Sequence, residues 1–309
     1  MTHMDIKLVR IFVSVVRSQG FANAQQELNL STSAISTYMT QLEQLVGFKL
    51  CERGRGGFSL TQKGEMFFQE AKRILNELDN FSRHTAQIKG ELTGTIKIGM
   101  LDSMVTDQNI PLDQIIQQFS EQNPNIYIKL QVQSPYELQT GVLENRFDVA
   151  IGCFFLKMNG VMYQPLHKEQ QWLFCSNTHP LYQQQGLTAE KIRREKMVSR
   201  GYWSHTELAK QGFKHSFATV DSMEAQLILI LSGQYIGYLP EHFAHYWLEQ
   251  QRLKVLLPAT FGYAAPFSLI FRRGRTQDPV IQNFRKIIKN FFEKYLFYKN
   301  KKRADCPFL

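Results

Sequence analysis

The chain has 309 residues, 43% hydrophobic and 20% charged, a globular composition long enough for two or three compact units. Its longest strongly apolar run, 225–231, is far short of the roughly 20 residues a membrane span needs, and Asp5, Lys7 and Arg10 interrupt any basic-then-apolar leader. Neither a membrane span nor export is expected, and a cytoplasmic location is. The net charge of +9 fits a nucleic-acid partner but does not locate it: residues 1–90 hold 11 Lys and Arg against 8 Asp and Glu, 91–271 hold 14 against 16, and 272–309 hold 11 against 3. Cys51, Cys153, Cys175 and Cys306 lie too far apart for a zinc pair or a dense disulfide framework, so reduced thiols are expected.

Taken in order, Leu8, Ile11, Phe12, Val15 and Val16 repeat at helical intervals, and Gly20 supplies a stop. In 21–47 the apolar positions Ala24, Leu28, Ile35, Met39 and Leu42 again have helical spacing, with a break of phase at Asn29, Leu30 and Ser31. That break predicts two short helices joined by a tight turn, with Ser31 as N-cap of the second. The second helix turns Thr32, Ser33, Ser36, Thr37 and Thr40 outward, with no acidic residue before Glu43. Short hydroxyls on an unobstructed face suit a major groove, where they can bond phosphates and base edges; an ordinary helical hairpin with a solvated face shares the pattern.

Residues 48–50 and 58–60 are apolar strand candidates around the Arg53-Gly54-Arg55-Gly56-Gly57 tip, which predicts a β-hairpin whose arginines can meet phosphates or a narrow minor groove. Thr61 opens a further helix. Along it Phe67, Ala71, Ile74, Leu78, Phe81, Thr85 and Ile88 recur at alternating steps of four and three, a coiled-coil seam that predicts dimerisation.

From Gly94 the period changes. Strands are predicted at 95–99, 126–132 and 149–155, with helices at 110–119 and 136–145 between them, which implies βαβ units around a mainly parallel sheet. Residues 163–166 and 171–175 are expected as crossing strands into a second α/β lobe; 267–271 returns to the first, before a last helix over 279–298 and a solvated basic tail over 299–309. Ligands of open α/β sheets sit beyond the carboxyl ends of the strands. That rule selects Asp102, Ser103, Met104, Gln133, Ser134 and Gly152 on the first lobe, and Ser199, Arg200, Gly201 and Tyr202 on the second. Ser103 with Arg200 suits an anion, and Tyr202 with Trp203 a planar molecule. His242 and His245 stand three apart, but no carboxylate or cysteine completes a metal set, so packed or solvated histidines are expected. No nucleophile elbow or activated cysteine suggests an enzyme, and neither cofactor nor metal is expected.

Phe12, Phe21, Ala24, Leu28, Ser31-Thr32-Ser33-Ala34-Ile35-Ser36, Leu42-Glu43, Leu45 to Gly47, Leu50 to Arg53, Leu60-Thr61, Gly64 and Gly94-Thr95-Ile96-Lys97-Ile98-Gly99 occur in an order and spacing that resembles the LysR-type transcriptional regulators over nearly the whole chain. The resemblance implies a multidomain protein: an N-terminal all-α winged helix-turn-helix (1–61), a linker and dimerisation helix (62–90), and a two-lobed α/β effector domain similar to periplasmic binding proteins (91–298), with lobe I at about 94–162 and 267–298 and lobe II at about 163–266. It implies promoter DNA, a small-molecule effector between the lobes and self-association as a dimer or tetramer. It also adds Gly233, in a loop that flanks the ligand. The family often has Gln-Pro where Thr32-Ser33 stand and Arg where Thr37 stands, so the expected DNA contacts here are Thr32, Ser33, Ser36, Thr37 and Tyr38, with Arg53 and Arg55 on the wing. Three readings remain beside this one: a DNA-binding regulator without an effector, a small-molecule binding protein whose first 90 residues serve only oligomerisation, and an enzyme using the cleft between the lobes.

Overall fold

The computed structural model describes residues 4–54, 57–88, 93–202 and 205–305, in two compact units, Met1–Lys89 and Gly90–Leu309. In the first, α1 (Ile6–Arg17) starts at Asp5, whose carboxylate accepts from the Lys7 N–H at 2.8 Å, and it buries Leu8, Val9, Ile11, Phe12, Val13, Ser14 and Val15. The helix ends at Ser18, two residues before the expected stop, because Gln19 (φ 54°) already takes the left-handed conformation ahead of Gly20. Next come α2 (Ala24–Leu28) and α3 (Thr32–Val46). Asn29 ends α2 in the left-handed region (φ 51°), which its short polar side chain tolerates, and Ser31 Oγ accepts from the Ala34 N–H at 3.2 Å. Ala24, fully buried, lets α2 pack closely on α1, and Leu30 packs half-buried at the corner.

The hairpin pairs β1 (Cys51–Gly54) with β2 (Gly57–Leu60), Arg53 opposite Phe58. It starts at Cys51 rather than at 48: Phe48 and Leu50 pack into the core instead. The long helix α4 (Gln62–Ile88) follows. A Cβ on Gly64 would lie 1.9 Å from the Leu50 carbonyl oxygen, so only glycine lets α4 pass the foot of the wing. Phe12, fully buried, lies 5.4 Å from Phe67 and 6.1 Å from Phe68, ring centre to ring centre, which locks α1 against α4.

The second unit runs β3 (Gly94–Met100), a 3-10 turn (Met104–Thr106), α5 (Leu112–Gln122), β4 (Ile126–Val132), α6 (Pro135–Leu143), β5 (Val149–Cys153), β6 (Val161–Ser176), α7 (Ala189–Ile192), β7 (Met197–Arg200) and α8 (His205–Lys210). It continues with β8 (Ala218–Val220), α9 (Met223–Leu231), β9 (Ile236–Pro240), α10 (Glu241–Glu249), β10 (Leu253–Val255), α11 (Pro258–Phe261), β11 (Tyr263–Arg272), a second 3-10 turn (Arg273–Arg275) and α12 (Pro279–Asp305). One sheet carries both lobes, in the order β4-β3-β5-β11-β6-β9-β7-β8, with β10 also on β6. β3 is parallel to β4 and β5, and β11 is antiparallel to both β5 and β6.

Two expectations change here. The separate strands at 163–166 and 171–175 are one 16-residue strand, β6, which pairs with β11 along its first part and with β9 and β10 along its last. The register of β11 shifts between Pro266 and Ser268, where proline cannot donate to the ladder, and this irregularity marks the passage between lobes. The expected tail is also revised: α12 stays helical to Asp305, so residues 299–305 extend the last helix, while 306–309 fall outside the described residues.

Lobe I has one core on β3, β5, β11, α5 and α12, including Phe119 against Phe284 at 5.3 Å. Arg275 pairs there with both Asp148 and Asp278, and Asp148 Oδ2 accepts the Lys97 N–H at 2.7 Å, which ties β3 to the start of α12. Lobe II has a core on each face of its sheet, one around Tyr238 and Leu173, the other around Phe174 and Val198.

Candidate nucleic-acid interface and effector cleft

α3 buries Ile35, Met39 and Leu42 and leaves Ser33, Thr37 and Thr40 exposed, with Thr32 and Ser36 half-exposed beside them. Thr37 and Thr40 donate their hydroxyl protons one turn back, to Ser33 O and Ser36 O, each at 3.0 Å. Their lone pairs remain for an outside donor. Ser33 Oγ lies 2.9 Å from Ser31 Oγ, so the N-terminal hydroxyls form a linked pair. Tyr38 differs from the others: it is half-buried, the Lys7 ammonium donates to its hydroxyl at 3.0 Å and sits 4.6 Å from the ring centre, so it joins α3 to α1.

Glu43 joins α3 to the wing. Its Oε1 accepts from the Leu50 N–H at 2.8 Å and the Cys51 N–H at 3.4 Å, and Lys49 donates to Oε2 at 2.7 Å. Burial opposes its charge, yet Lys49 and the two backbone donors outweigh that and hold its pKa below the usual value. The Arg53 backbone lies in β1; its side chain, and Arg55 altogether, lie outside the described residues.

The expected dimer seam divides. Ala71, 2% exposed, and Phe67 belong to the core of their own unit, where Phe67 lies 6.4 Å from Phe48 as well as against Phe12. Ile74 and Phe81 are 48% and 66% exposed, and Leu78 is half-buried between them. Phe67 and Ala71 are therefore corrected from a partner-facing role to an internal one: helix 62–88 first crosses the small domain and only then leaves it.

In the second unit a polar chain runs across the middle of the sheet. Thr106 Oγ1 lies 2.8 Å from His242 Nδ1; His242 Nε2 lies 2.9 Å from Glu169 Oε1; Gln171 donates to Glu169 Oε2. Arg200 then donates to Gln171 Oε1 at 2.8 Å, to Gln226 Oε1 at 3.2 Å and to the Tyr238 carbonyl at 3.3 Å. Burial works against the charge on Arg200, while Tyr202, Tyr263 and Glu169 favour it and raise its pKa. Both tyrosines have raised pKa values themselves, so near neutrality they act as dipoles and Glu169 supplies the formal counter-charge. The Cys153 thiol is pushed up to about 12 by burial, with Glu169 adding and Arg200 opposing, so it stays protonated.

Beside this chain lies a cavity of about 480 Å³, lined by Pro135, Tyr136, Gln139, Cys153, Phe154 and Tyr202 among others. Asp102 Oδ2 accepts from the Met223 N–H, a direct link from lobe I to α9 of lobe II. Ser103 is left-handed (φ 60°) before the 3-10 turn, and Met104 is buried below it. The Gln133 N–H donates to Met100 O at 3.0 Å, and Ser134 makes a capping box with Glu137 at the start of α6. Gly152 is packed under Leu101, 2.9 Å from where a Cβ would stand, and Gly233 is a left-handed turn residue against Thr178. These two glycines thus serve close packing and a turn, and Trp203 lies outside the described residues.

Residues 6–65 match the model of the bacterial regulatory helix-turn-helix protein, lysR family, and residues 89–293 match the LysR substrate binding domain. The chain belongs to the LysR family of transcriptional regulators. It is 31% identical to the HTH-type transcriptional activator BauR of Pseudomonas aeruginosa over 283 residues, 91% of this chain and 93% of that one. It is 26% identical to the regulator CfxR of Cupriavidus necator, over 77% and 76% of the two chains. In fold it is similar to full-length CbnR complexed with its target DNA, with a TM-score of 0.67 at 19% identity over 93% of this chain and all of that one. Full-length OxyR of Pseudomonas aeruginosa gives 0.62 at 18% over 92% and 95%.

This LysR-family member is a transcriptional regulator that binds DNA through its N-terminal unit and a small-molecule effector through its C-terminal one. Sequence reasoning missed Cys153, Glu169, Gln171, Gln226 and His242 in the cleft. One signal was present: His167, Glu169 and Gln171 alternate along one face of β6, polar where the same strand is later apolar. Gln226, inside an apolar helical run, gave another.

Proposed function

We propose that the chain acts in the cytoplasm as a dimer on dyad-symmetric promoter sites, reading bases with Thr32, Ser33, Ser36 and Thr37 and gaining affinity from Arg53 and Arg55 on the wing. Self-association uses the exposed part of α4, with Ile74, Leu78 and Phe81 at the seam. The effector is a small anion or a planar acid held between the lobes, near Asp102, Ser103 and Met104 on one side and Arg200 and Tyr202 on the other. The observation that carries this reading is a buried, charged Arg200 two residues from Tyr202, whose side chain lines the 480 Å³ cavity together with Tyr136 and Phe154. Positive potential behind an aromatic wall attracts an anion and packs a ring. Such a ligand works by population shift: it must bind one arrangement of the lobes more tightly than another.

Thermal-shift screening of the full-length chain against small carboxylic acids tests this. A binder raises the melting temperature of the wild type in a concentration-dependent way, and Tyr202→Ala should remove most of that shift. A hit that stabilises wild type and Tyr202→Ala equally would place the effector elsewhere.

A further inference from the structure

From the side chains that meet where the two lobes join, we infer that this regulator carries a site for a divalent transition cation, with Asp107, Glu169 and His242 as ligands. One ligand atom from each of the three comes within 4.8 Å of the other two. Tetrahedral zinc with bonds near 2.0–2.2 Å places its ligand atoms about 3.3 Å apart, so closure requires shifts of roughly an ångström, within reach of side-chain rotation. The three come from separate elements: Asp107 follows the 3-10 turn of lobe I, Glu169 lies on β6, and His242 lies on α10 of lobe II. Spacing along the chain therefore could not reveal the set.

Each ligand is already oriented from behind. Asn109 donates to Asp107 Oδ1 through both its backbone N–H and its side-chain amide, each at 2.9 Å, and Gln171 holds Glu169 Oε2. The Thr106 hydroxyl donates its one proton to Ser103 O at 3.0 Å. In the tautomer that satisfies both Thr106 contacts at once, His242 Nδ1, 2.8 Å from the same oxygen, carries a proton and donates to it. That tautomer leaves a lone pair on Nε2, which faces Glu169 Oε1 across 2.9 Å. Two lone pairs at that separation need a cation or a further proton between them. An imidazole fixed through its far N–H, with a free nitrogen turned toward carboxylates, is the arrangement of metal-ligating histidines.

A second observation is independent of this tautomer. Asp107 Oδ2 is buried, on a residue 3% exposed, and has no hydrogen-bond partner among the described residues. His167 Nε2, 2.9 Å away, is the close partner of this oxygen, although its ring N–H is poorly aligned for a hydrogen bond. His167 lies with its ring against Phe267 at 5.1 Å, on the same face of β6 as Glu169, and is placed to orient Asp107 or to become a fourth ligand. Two buried carboxylates flanked by two imidazoles match a cation of intermediate softness, zinc foremost, better than calcium or magnesium, which prefer all-oxygen shells. A cavity of about 500 Å³ beside α5 has Asp107 in its wall. The set shares the cleft with the proposed effector site, since Gln171 links Glu169 to Arg200, but none of its ligands is Arg200 or Tyr202, so Tyr202→Ala tests the effector reading without removing a metal ligand. Bound metal would tie lobe I to lobe II through three bonds and bias the regulator toward this arrangement of its lobes.

The test is zinc titration of full-length protein stripped with EDTA, by calorimetry and by metal analysis after gel filtration. One zinc per chain is expected, with a higher melting temperature for the loaded form. His242→Ala should abolish it, Glu169→Gln should weaken it at least tenfold, and Thr106→Ala should weaken it about 10–100-fold by freeing the imidazole. His245→Ala should change nothing, because His245 is exposed and pairs with Glu249 at 3.2 Å. Should His242→Ala fail to fold, Glu169→Gln and Thr106→Ala decide. Wild type that retains no zinc would reduce the cluster to an imidazole–carboxylate hydrogen bond. Zinc retained at the same stoichiometry and affinity in Glu169→Gln and Thr106→Ala would place the metal elsewhere. Either result overturns the inference.

Discussion

At the scale of single residues, Thr37 sets what α3 can ask of DNA. Its hydroxyl proton is committed to Ser33 O, so it offers a base edge an acceptor and a methyl group, suited to the amino groups of adenine and cytosine or to the thymine methyl. Thr37→Val keeps the shape and removes the acceptor. We expect it to lower affinity for the selected site by about five- to 150-fold, on the scale of roughly 1–3 kcal/mol per specific contact, and to leave affinity for random DNA unchanged; anisotropy titrations on both sequences measure the difference, and equal losses on both would remove Thr37 from the readers. Glu43 makes a separate prediction about stability. Its pKa is lowered in the fold, so its contribution is complete above the ordinary value of 4.5 and is lost as pH falls through the folded value. Glu43→Gln should therefore lower stability by about 1–2 kcal/mol at pH 7, and the gap to wild type should close as the pH is taken down from 5 toward 3. A gap independent of pH would mean that the charge on Glu43 does not matter. The Ser31 cap was legible in the sequence because a capping hydroxyl acts within three residues. The role of Tyr38 was not, because its partner Lys7 is 31 positions away.

Among the elements, α4 shows how one periodicity can serve two purposes. Its heptad pattern is continuous from Phe67 to Phe81, but Ala71 is buried within its own unit while Phe81 is two-thirds exposed. Period alone carries no information on which partner covers a stripe. Ile74→Asp with Leu78→Asp should convert dimers to monomers while the first unit keeps its helical circular dichroism. Ala71→Asp should instead unfold that unit, by placing a charge in a closed core. Sedimentation of the double variant as an unchanged dimer would contradict the assignment. β6 gives a similar lesson: residues 167–170 look like a loop because polar residues interrupt the apolar run, yet His167 and Glu169 share the face toward the cleft while the backbone continues its ladder with β11. Strand boundaries at 126–132 were legible because turn residues flank them on both sides.

For the whole molecule, the order of elements was readable in the first unit and in lobe I, while the elements between 177 and 266 were not individually assigned; the positions after the strands nonetheless led to Arg200 and Tyr202. The sequence could not supply the meeting of Thr106, His242, Glu169, Gln171 and Arg200, since these come from both lobes and from the strand between them. Long-range assembly of that kind leaves only faint local traces, such as a glutamine inside an apolar helix. The most direct test of the account is footprinting of the full-length protein across the DNA upstream of its own gene and across selected genomic fragments, at increasing salt. The account predicts protection of a dyad-symmetric site whose half-sites lie about 10–10.5 base pairs apart, or a multiple of that, fading steeply as salt rises because phosphate contacts release counterions. Protection no stronger on any fragment than on random DNA would contradict it.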